Sequence, residues 1–161
     1  MQSAAVKKTN QRALKENERK WGQPLIKAGW SLLPATILDK QQELSLTAAD
    51  INIIMHLVRH WWYSDRLPYP SKARLAALMG IHPSTVQRRI RRMEKMGLIQ
   101  RIPQKDPDRG QKSNQYDLSG LVRKATPMAK AALVEREKRD AERSKRKAPT
   151  LRVVHGVNKP R

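Results

Sequence analysis

The sequence predicts a mainly α-helical domain with one small β-hairpin, carrying basic helical extensions at both ends. Apolar residues recur at helical spacing after residue 47, two short helical patterns end at Gly80 and Gly97, and a turn rich in Asp, Pro and Gly then separates two strand-like segments. We therefore divide the chain into a basic N-terminal arm over 1–29, a central domain over 30–126, and a basic helical extension and tail over 127–161.

The charge distribution indicates a polyanionic partner. The chain carries 34 Lys and Arg against 14 Asp and Glu, a net charge of +20. Residues 31–83 are nearly neutral at +1, whereas 1–30 carry +5, and 84–124 and 125–161 carry +7 each. Such an excess of basic residues is typical of a nucleic-acid binder.

Composition also limits where the protein acts. There is no cysteine, so neither disulfides nor thiolate metal sites are expected. The N-terminus lacks the apolar core of a signal peptide, and no apolar run approaches the ~20 residues that span a bilayer. We expect no membrane partner and a cytoplasmic, nucleoid-associated protein.

The N-terminal half predicts an arm, a short helix and a core helix. Residues 1–20 are polar all round, so an arm that is flexible or ordered by a partner is expected. A short helix over about 34–44 follows. Thr47 begins the clearest helix, because Thr47 and Asp50 match a capping box with Asp in place of Glu. Its apolar stripe, widened by Leu57 and Trp61, is predicted to comprise Ile51, Ile54, Met55, Val58 and Trp62.

Two short helices come next and are joined by a tight turn. Ser71 is the predicted N-cap of the first helix, and Gly80 ends it in the left-handed conformation. Ser84 is the predicted N-cap of the second, although Pro83 leaves the register open by one residue. The second helix runs over 84–96 and ends at Gly97. This organisation is a helix-turn-helix.

A basic hairpin and a C-terminal helix complete the chain. Residues 98–104 and 111–119 read as strands around the turn at 105–110. We call residues 98–118 the wing. Another helix is predicted to begin within 119–126, to be interrupted near Pro127, and to continue to about Lys147. The last residues have no period and are predicted to be loose.

The helix over 84–96 is the predicted DNA-reading element. Val86, Ile90 and Met93 fall on one side and are spaced to pack on the core, whereas the rest is rich in arginine. An α-helix fits the major groove, and the planar guanidinium binds guanine edges or phosphates bidentately. N-terminal residues of such a helix usually reach bases. The predicted base-reading residues are Ser84, Thr85, Gln87 and Arg88, and the predicted phosphate contacts are Arg89, Arg91 and Arg92. The alternative is a solvated basic face.

The wing supplies a second set of basic residues. A wing lies along the phosphates or enters the minor groove, whose negative potential attracts arginine. Arg109, beside Gly110 at the tip, is the candidate for the groove. The predicted wing contacts are Arg101, Lys105, Arg109 and Lys112. The alternative is a solvated turn.

Other chemistry has less support. His56 and His60 have the spacing of two zinc ligands, but Leu57 stands where the metalloprotease motif has Glu, so a role at the edge of the core is favoured and no metal or cofactor is expected. Base stacking is an alternative role for four aromatic residues, Trp30, Trp61, Trp62 and Tyr69. No nucleophile with a base and no phosphate-binding glycine loop is evident, which disfavours an enzyme.

The segment LPYPSKARLAALMGIHPSTVQRRIRRMEKMGLIQRI resembles the winged helix-turn-helix module of bacterial, plasmid and phage regulators. The later SNQYDLSGL resembles the second strand of the wing, and the resemblance covers about residues 30–122. It implies binding of double-stranded DNA, most often in transcription regulation. A plasmid or phage replication or maintenance factor, and an accessory subunit of a larger nucleoprotein complex, are the alternatives. A homodimer and RNA binding remain open.

Overall fold

The computed structural model of the chain describes residues 15–106, 110–111 and 113–147. It confirms a mainly α-helical chain with a small hairpin. Its helices are α1 (15–21), α2 (Gln23–Ala28), α3 (Ala35–Asp39), α4 (Ala48–Val58), α5 (Lys72–Met79), α6 (Pro83–Lys95) and α7 (Ser119–Lys147). Its strands are β1 (Gln100–Ile102), β2 (Lys105–Asp106), β3 (Gly110–Gln111) and β4 (Gln115–Asp117).

One apolar core joins α4, α5, α6, the hairpin and the start of α7. The side of α6 that was predicted to pack is buried as expected, through Val86, Ile90 and Met93. It meets α4 and α5, and Tyr116 of β4 closes the core from the hairpin. Burial of this apolar side is what fixes which side of α6 remains in solvent.

The predicted stripe of α4 is partly wrong. The fully buried apolar residues of this helix are Ile53, Ile54 and Leu57, while Ile51, Met55 and Val58 are only partly buried. Trp62 is 70% exposed. The reason is that α4 ends at Val58 and a turn follows, so Trp62 does not continue the helical stripe.

Local capping signals are mostly confirmed. Thr47 and Asp50 form a capping box at the start of α4, Ser71 caps α5, and Gly80 ends α5 with a φ of 63°. The short helix expected over 34–44 is confined to Ala35–Asp39 and continues as turns to residue 45. Residues 15–21 are helical, in agreement with the helical N-terminal extension that the sequence predicts.

The hairpin consists of two short antiparallel ladders. Strand β1 pairs with β4, with Arg101 opposite Tyr116, and β2 pairs with β3, with Lys105 opposite Gln111. The backbone N–H of Tyr116 donates to the carbonyl of Pro68 at 2.9 Å, which ties the hairpin to the loop before α5. Two predicted wing contacts, Arg109 and Lys112, lie outside the described residues, as does the tail after residue 147.

Helix α7 is continuous through Pro127, so the predicted interruption there is wrong. A proline removes one helical hydrogen bond, here the bond to the carbonyl of Arg123. Arg123 and Pro127 are both exposed residues, so the missing bond lies on the solvent side of α7 and not in the core. The proposed domain boundary after residue 126 thus falls inside a helix. Residues 130–145 are all exposed. None of the described helices has the length and apolar character needed to cross a membrane.

The start of α7 packs directly on the end of α6. The backbone N–H of Leu121 donates to the carbonyl of Leu98 at 2.8 Å. Gly120 faces the carbonyl of Gly97 so closely that a Cβ atom would overlap it. Gly97 itself has a φ of 65°, the left-handed conformation predicted for the end of α6. This backbone contact fixes where α6 ends relative to α7.

We predict that Gly120→Ala destabilises the protein by about 3 kcal/mol, because a methyl group cannot be accommodated between two backbones without displacing α7. Gly97→Ala is the matched control: its Cβ would meet no neighbour, so only the left-handed conformation costs energy, about 1 kcal/mol. Urea unfolding measures both free energies. Equal losses in the free energy of unfolding for the two variants would contradict the close contact between Gly120 and Gly97.

Candidate nucleic-acid interface

Helix α6 begins at residue 83, one residue before the predicted range 84–96, and its N-cap lies two residues before the predicted one. Pro83 is its first residue and His82, not Ser84, is its N-cap. The His82 Nδ1 atom accepts from the backbone N–H of Ser84 at 3.2 Å. Proline is well suited to the first helical position, because its φ is already helical and no N–H is required there.

The exposed side of α6 is a single polar stripe. Its members recur at intervals of four, three and four residues, so they lie one above another on the helix. They are Ser84, Arg88, Arg91 and Lys95, all exposed. We call these four residues the exposed stripe. With Gln87 and Arg92 at its edge, the stripe lines a shallow depression of about 560 Å³.

The other two arginines of α6 turn toward α4. Arg92 Nη1 donates to Asp50 Oδ2 at 2.7 Å, and Arg92 Nη2 donates to the carbonyl of Ser45 at 2.7 Å. Arg89 Nη1 donates to Thr47 Oγ1 at 3.2 Å. The four arginines therefore divide by position: Arg88 and Arg91 face solvent, whereas Arg89 and Arg92 bind the start of α4.

Asp50 is the centre of these contacts. Its side chain is fully buried, and Oδ2 accepts from the Thr47 backbone N–H at 2.8 Å, from Thr47 Oγ1 at 2.7 Å and from Arg92. A buried carboxylate without partners is strongly unfavourable, so the pairing with Arg92 constrains both groups. The cluster Thr47, Asp50, Arg89 and Arg92 is called the α4–α6 clamp below.

The remaining predicted base-reading residues are less accessible than expected. Gln87 is half-buried, and its Oε1 accepts from Lys72 Nζ on α5 at 2.9 Å. Thr85 is also half-buried. Of the predicted set, Ser84 and Arg88 are the two exposed members.

The predicted contacts of the wing also divide into a half-buried residue and an exposed one. Arg101 is half-buried, and its Nε lies 3.5 Å from Oε1 of Glu94 on α6. The Arg101 backbone N–H also donates to that oxygen, at 3.2 Å. Lys105, in contrast, is exposed on β2. The described part of the wing thus offers Lys105 as its accessible predicted contact.

Sequence reasoning assigned no role to Lys95 or to the side chain of Asp50 beyond its cap. Lys95 could have been found by extending the helical spacing from Ser84 through Arg88 and Arg91. The capping box of Thr47 and Asp50 has a local signal, but no local signal indicates that α6 joins it, because Arg92 and Asp50 are distant in sequence and meet only when α6 packs on α4.

The two histidines that have the spacing of zinc ligands do not share a helix: His56 lies in α4, whereas His60 lies in the turn that follows Val58. The pKa of each is lowered by its surroundings. Burial lowers the pKa of His56, with a contribution from Arg59. Burial also lowers the pKa of His60, which faces Arg74, Arg59 and His56 as well. Among the described residues, no group of three or more His, Asp or Glu side chains converges as a metal site would require.

Two helices are joined by a tight turn, the second carries the polar stripe, and a hairpin follows it. This arrangement defines a winged helix-turn-helix DNA-binding module. Residues 44–99 match a family model described as a helix-turn-helix domain. This range includes α4, α5, α6 and the clamp. The search of curated proteins gave no match.

Solved structures are similar to this chain at low sequence identity. The N-terminal domain of DnaD protein from Geobacillus kaustophilus HTA426 is 17% identical with a TM-score of 0.51, over 71% of this chain and 93% of that one. A structure of MarR is 21% identical with a TM-score of 0.38, over 68% of this chain and 80% of that one. The transcriptional regulator PA3341 is 21% identical with a TM-score of 0.39, over 83% of this chain and 79% of that one. The DnaD domain shares the fold.

We predict that Arg92→Met costs about 2 kcal/mol of folding stability, since it leaves the buried Asp50 carboxylate without its charge partner. The double variant Asp50→Asn with Arg92→Met should cost less than the sum of the two single changes. Arg91→Met, the neighbouring exposed arginine, is the matched control and should change stability by less than about 0.5 kcal/mol. Urea unfolding of the four variants measures the coupling, and additive losses would refute the clamp.

Proposed function

We propose that this protein binds double-stranded DNA sequence-specifically and acts as a transcriptional regulator. The observation that carries the proposal is the exposed stripe of α6, which presents two arginines and a lysine on the second helix of a helix-turn-helix. In this position a helix enters the major groove, where arginine reads guanine through two hydrogen bonds.

Within the stripe, position suggests the role of each residue. Ser84 and Arg88 lie toward the N-terminal end of α6, which usually approaches base edges, and are proposed to read bases. Arg91 and Lys95 lie nearer its C-terminal end and are proposed to bind phosphates. Thr85 and Gln87, both half-buried, are proposed as contacts at the edge of this surface.

The roles first expected of Arg89, Arg92 and Arg101 are revised in this proposal. Arg89 and Arg92 engage α4, and Arg101 lies beside Glu94. They are proposed to hold α6 and the wing in place rather than to bind phosphate. The wing is proposed to reach the DNA backbone or minor groove through Lys105 and through Arg109 and Lys112.

The basic extensions are proposed to strengthen binding without selecting sequence. The exposed part of α7 is rich in lysine and arginine, and positive charge near DNA raises affinity through release of counterions. Replication or plasmid maintenance, and an accessory role in a nucleoprotein complex, use the same duplex-binding surface and differ in the sites the protein occupies.

We predict that Arg88→Ala weakens binding to the preferred sequence by about 1–3 kcal/mol and relaxes the choice of base at one position, because a bidentate contact is lost. Arg91→Ala should instead weaken all sequences alike and lower the slope of log affinity against log salt by about one. Fluorescence anisotropy titrations with specific and scrambled duplexes, over a range of salt concentrations, measure both effects.

The matched control for these variants is Lys130→Ala, which removes one exposed positive charge from α7 and leaves the stripe intact. This variant should leave unchanged the ratio of the affinity for the specific duplex to the affinity for the scrambled duplex. If Arg88→Ala also left that ratio of affinities unchanged, base reading by Arg88 would be refuted.

A further inference from the structure

A second surface with the chemistry of a nucleic-acid site lies away from the exposed stripe. The loop between α4 and α5 carries three aromatic side chains that are more than half exposed: Trp62 at 70%, Tyr63 at 63% and Tyr69 at 67%. They line a cleft of about 570 Å³ together with two arginines, Arg66 and Arg74. We call this the aromatic cleft. Its volume is within the ~300–1,000 Å³ of typical ligand pockets.

The charge of the aromatic cleft favours an anion. Its lining includes Arg66, Arg74 and His60 and contains no carboxylate. The Arg66 guanidinium carbon lies 5.6 Å from the centroid of the Tyr63 ring, a cation–π geometry that holds a positive charge beside an aromatic face. Aromatic faces next to guanidinium groups suit a ligand that is both flat and negatively charged.

The cleft is anchored on both sides by the fold. Pro68 and Pro70 are buried within the loop, and the Pro68 carbonyl accepts from Tyr116 of β4. Ser71, at the rim, caps α5 by accepting from the Arg74 backbone N–H at 3.1 Å. Ser113 of the hairpin completes the lining. The aromatic side chains are therefore displayed on a constrained loop.

The cleft belongs to the same module as the exposed stripe and is linked to α6 through the start of α5. Lys72, one residue after the rim at Ser71, donates to Gln87 at the edge of the depression beside the exposed stripe. Duplex DNA keeps its bases stacked inside the helix, so aromatic faces of this kind gain little from a duplex. Unpaired nucleotides present both free base faces and phosphates.

We propose that the aromatic cleft binds unpaired nucleotides of single-stranded DNA, by stacking bases on Tyr63 and Tyr69 and by pairing phosphates with Arg66 and Arg74. This activity is additional to duplex binding and uses different residues. It would let the protein hold an opened or overhanging strand beside the duplex that α6 occupies.

The test compares two fluorescent probes with the full chain at one salt concentration: an oligothymidine of about 12 nucleotides, which cannot form a duplex, and a duplex of about two helical turns. The double variant Tyr63→Ala with Tyr69→Ala should weaken oligothymidine binding about tenfold and leave duplex binding within about twofold. The corresponding double change to Phe should restore oligothymidine binding, because stacking requires the ring and not the hydroxyl.

Trp30→Ala is the matched control, since Trp30 is 53% exposed but does not line the cleft. It should leave both probes unaffected. Unchanged oligothymidine binding in the double Ala variant would overturn the proposal and leave the cleft to a protein or small-molecule partner. An equal loss of oligothymidine binding and duplex binding in this variant would also overturn the proposal. Arg88→Ala should affect only the duplex, so failure of duplex recognition is distinguishable from failure of the cleft.

Discussion

The buried carboxylate of Asp50 is the constraint on which the duplex-binding surface depends. It caps α4 through Thr47 and accepts from Arg92 of α6 at 2.7 Å. A buried charge tolerates little change in its partners, so the clamp fixes how α6 is rotated on the core. The rotation in turn decides which arginines face solvent. The contact of Lys72 with Gln87 and the close packing of Gly120 on Gly97 hold α6 from two further sides.

A consequence is that charge alone does not identify the interface. Arg88, Arg89, Arg91 and Arg92 are neighbours in sequence and identical in chemistry, yet they alternate between solvent and the clamp. An exposed arginine retains its donors for a ligand, whereas an arginine that is already paired with a buried carboxylate would have to leave that carboxylate without its charge partner. The partner of each side chain, rather than its type, therefore separates binding residues from structural ones.

Much of the fold follows from local signals in the sequence. The capping box at Thr47, the cap at Ser71 and the terminating glycines depend on a few adjacent residues, and these predictions are confirmed. The stripe of α4 was placed partly on the wrong residues, because periodicity alone could not show that the helix ends before Trp62. The clamp could not be predicted, since Asp50 and Arg92 meet only through tertiary packing. For the same reason, the sequence could not show which arginines of α6 face solvent and which bind α4.

Sequence reading by α6 is tested most directly by selecting fragments of sheared genomic DNA with the purified protein at about physiological salt and sequencing the bound fraction. Sequence reading by α6 predicts one enriched motif, whose conserved base pairs match the reach of a single helix in the major groove. It also predicts that Arg88→Ala blurs one position of that motif. Recovery of DNA without any enriched motif would contradict sequence reading by α6 and leave a chain that binds phosphate alone.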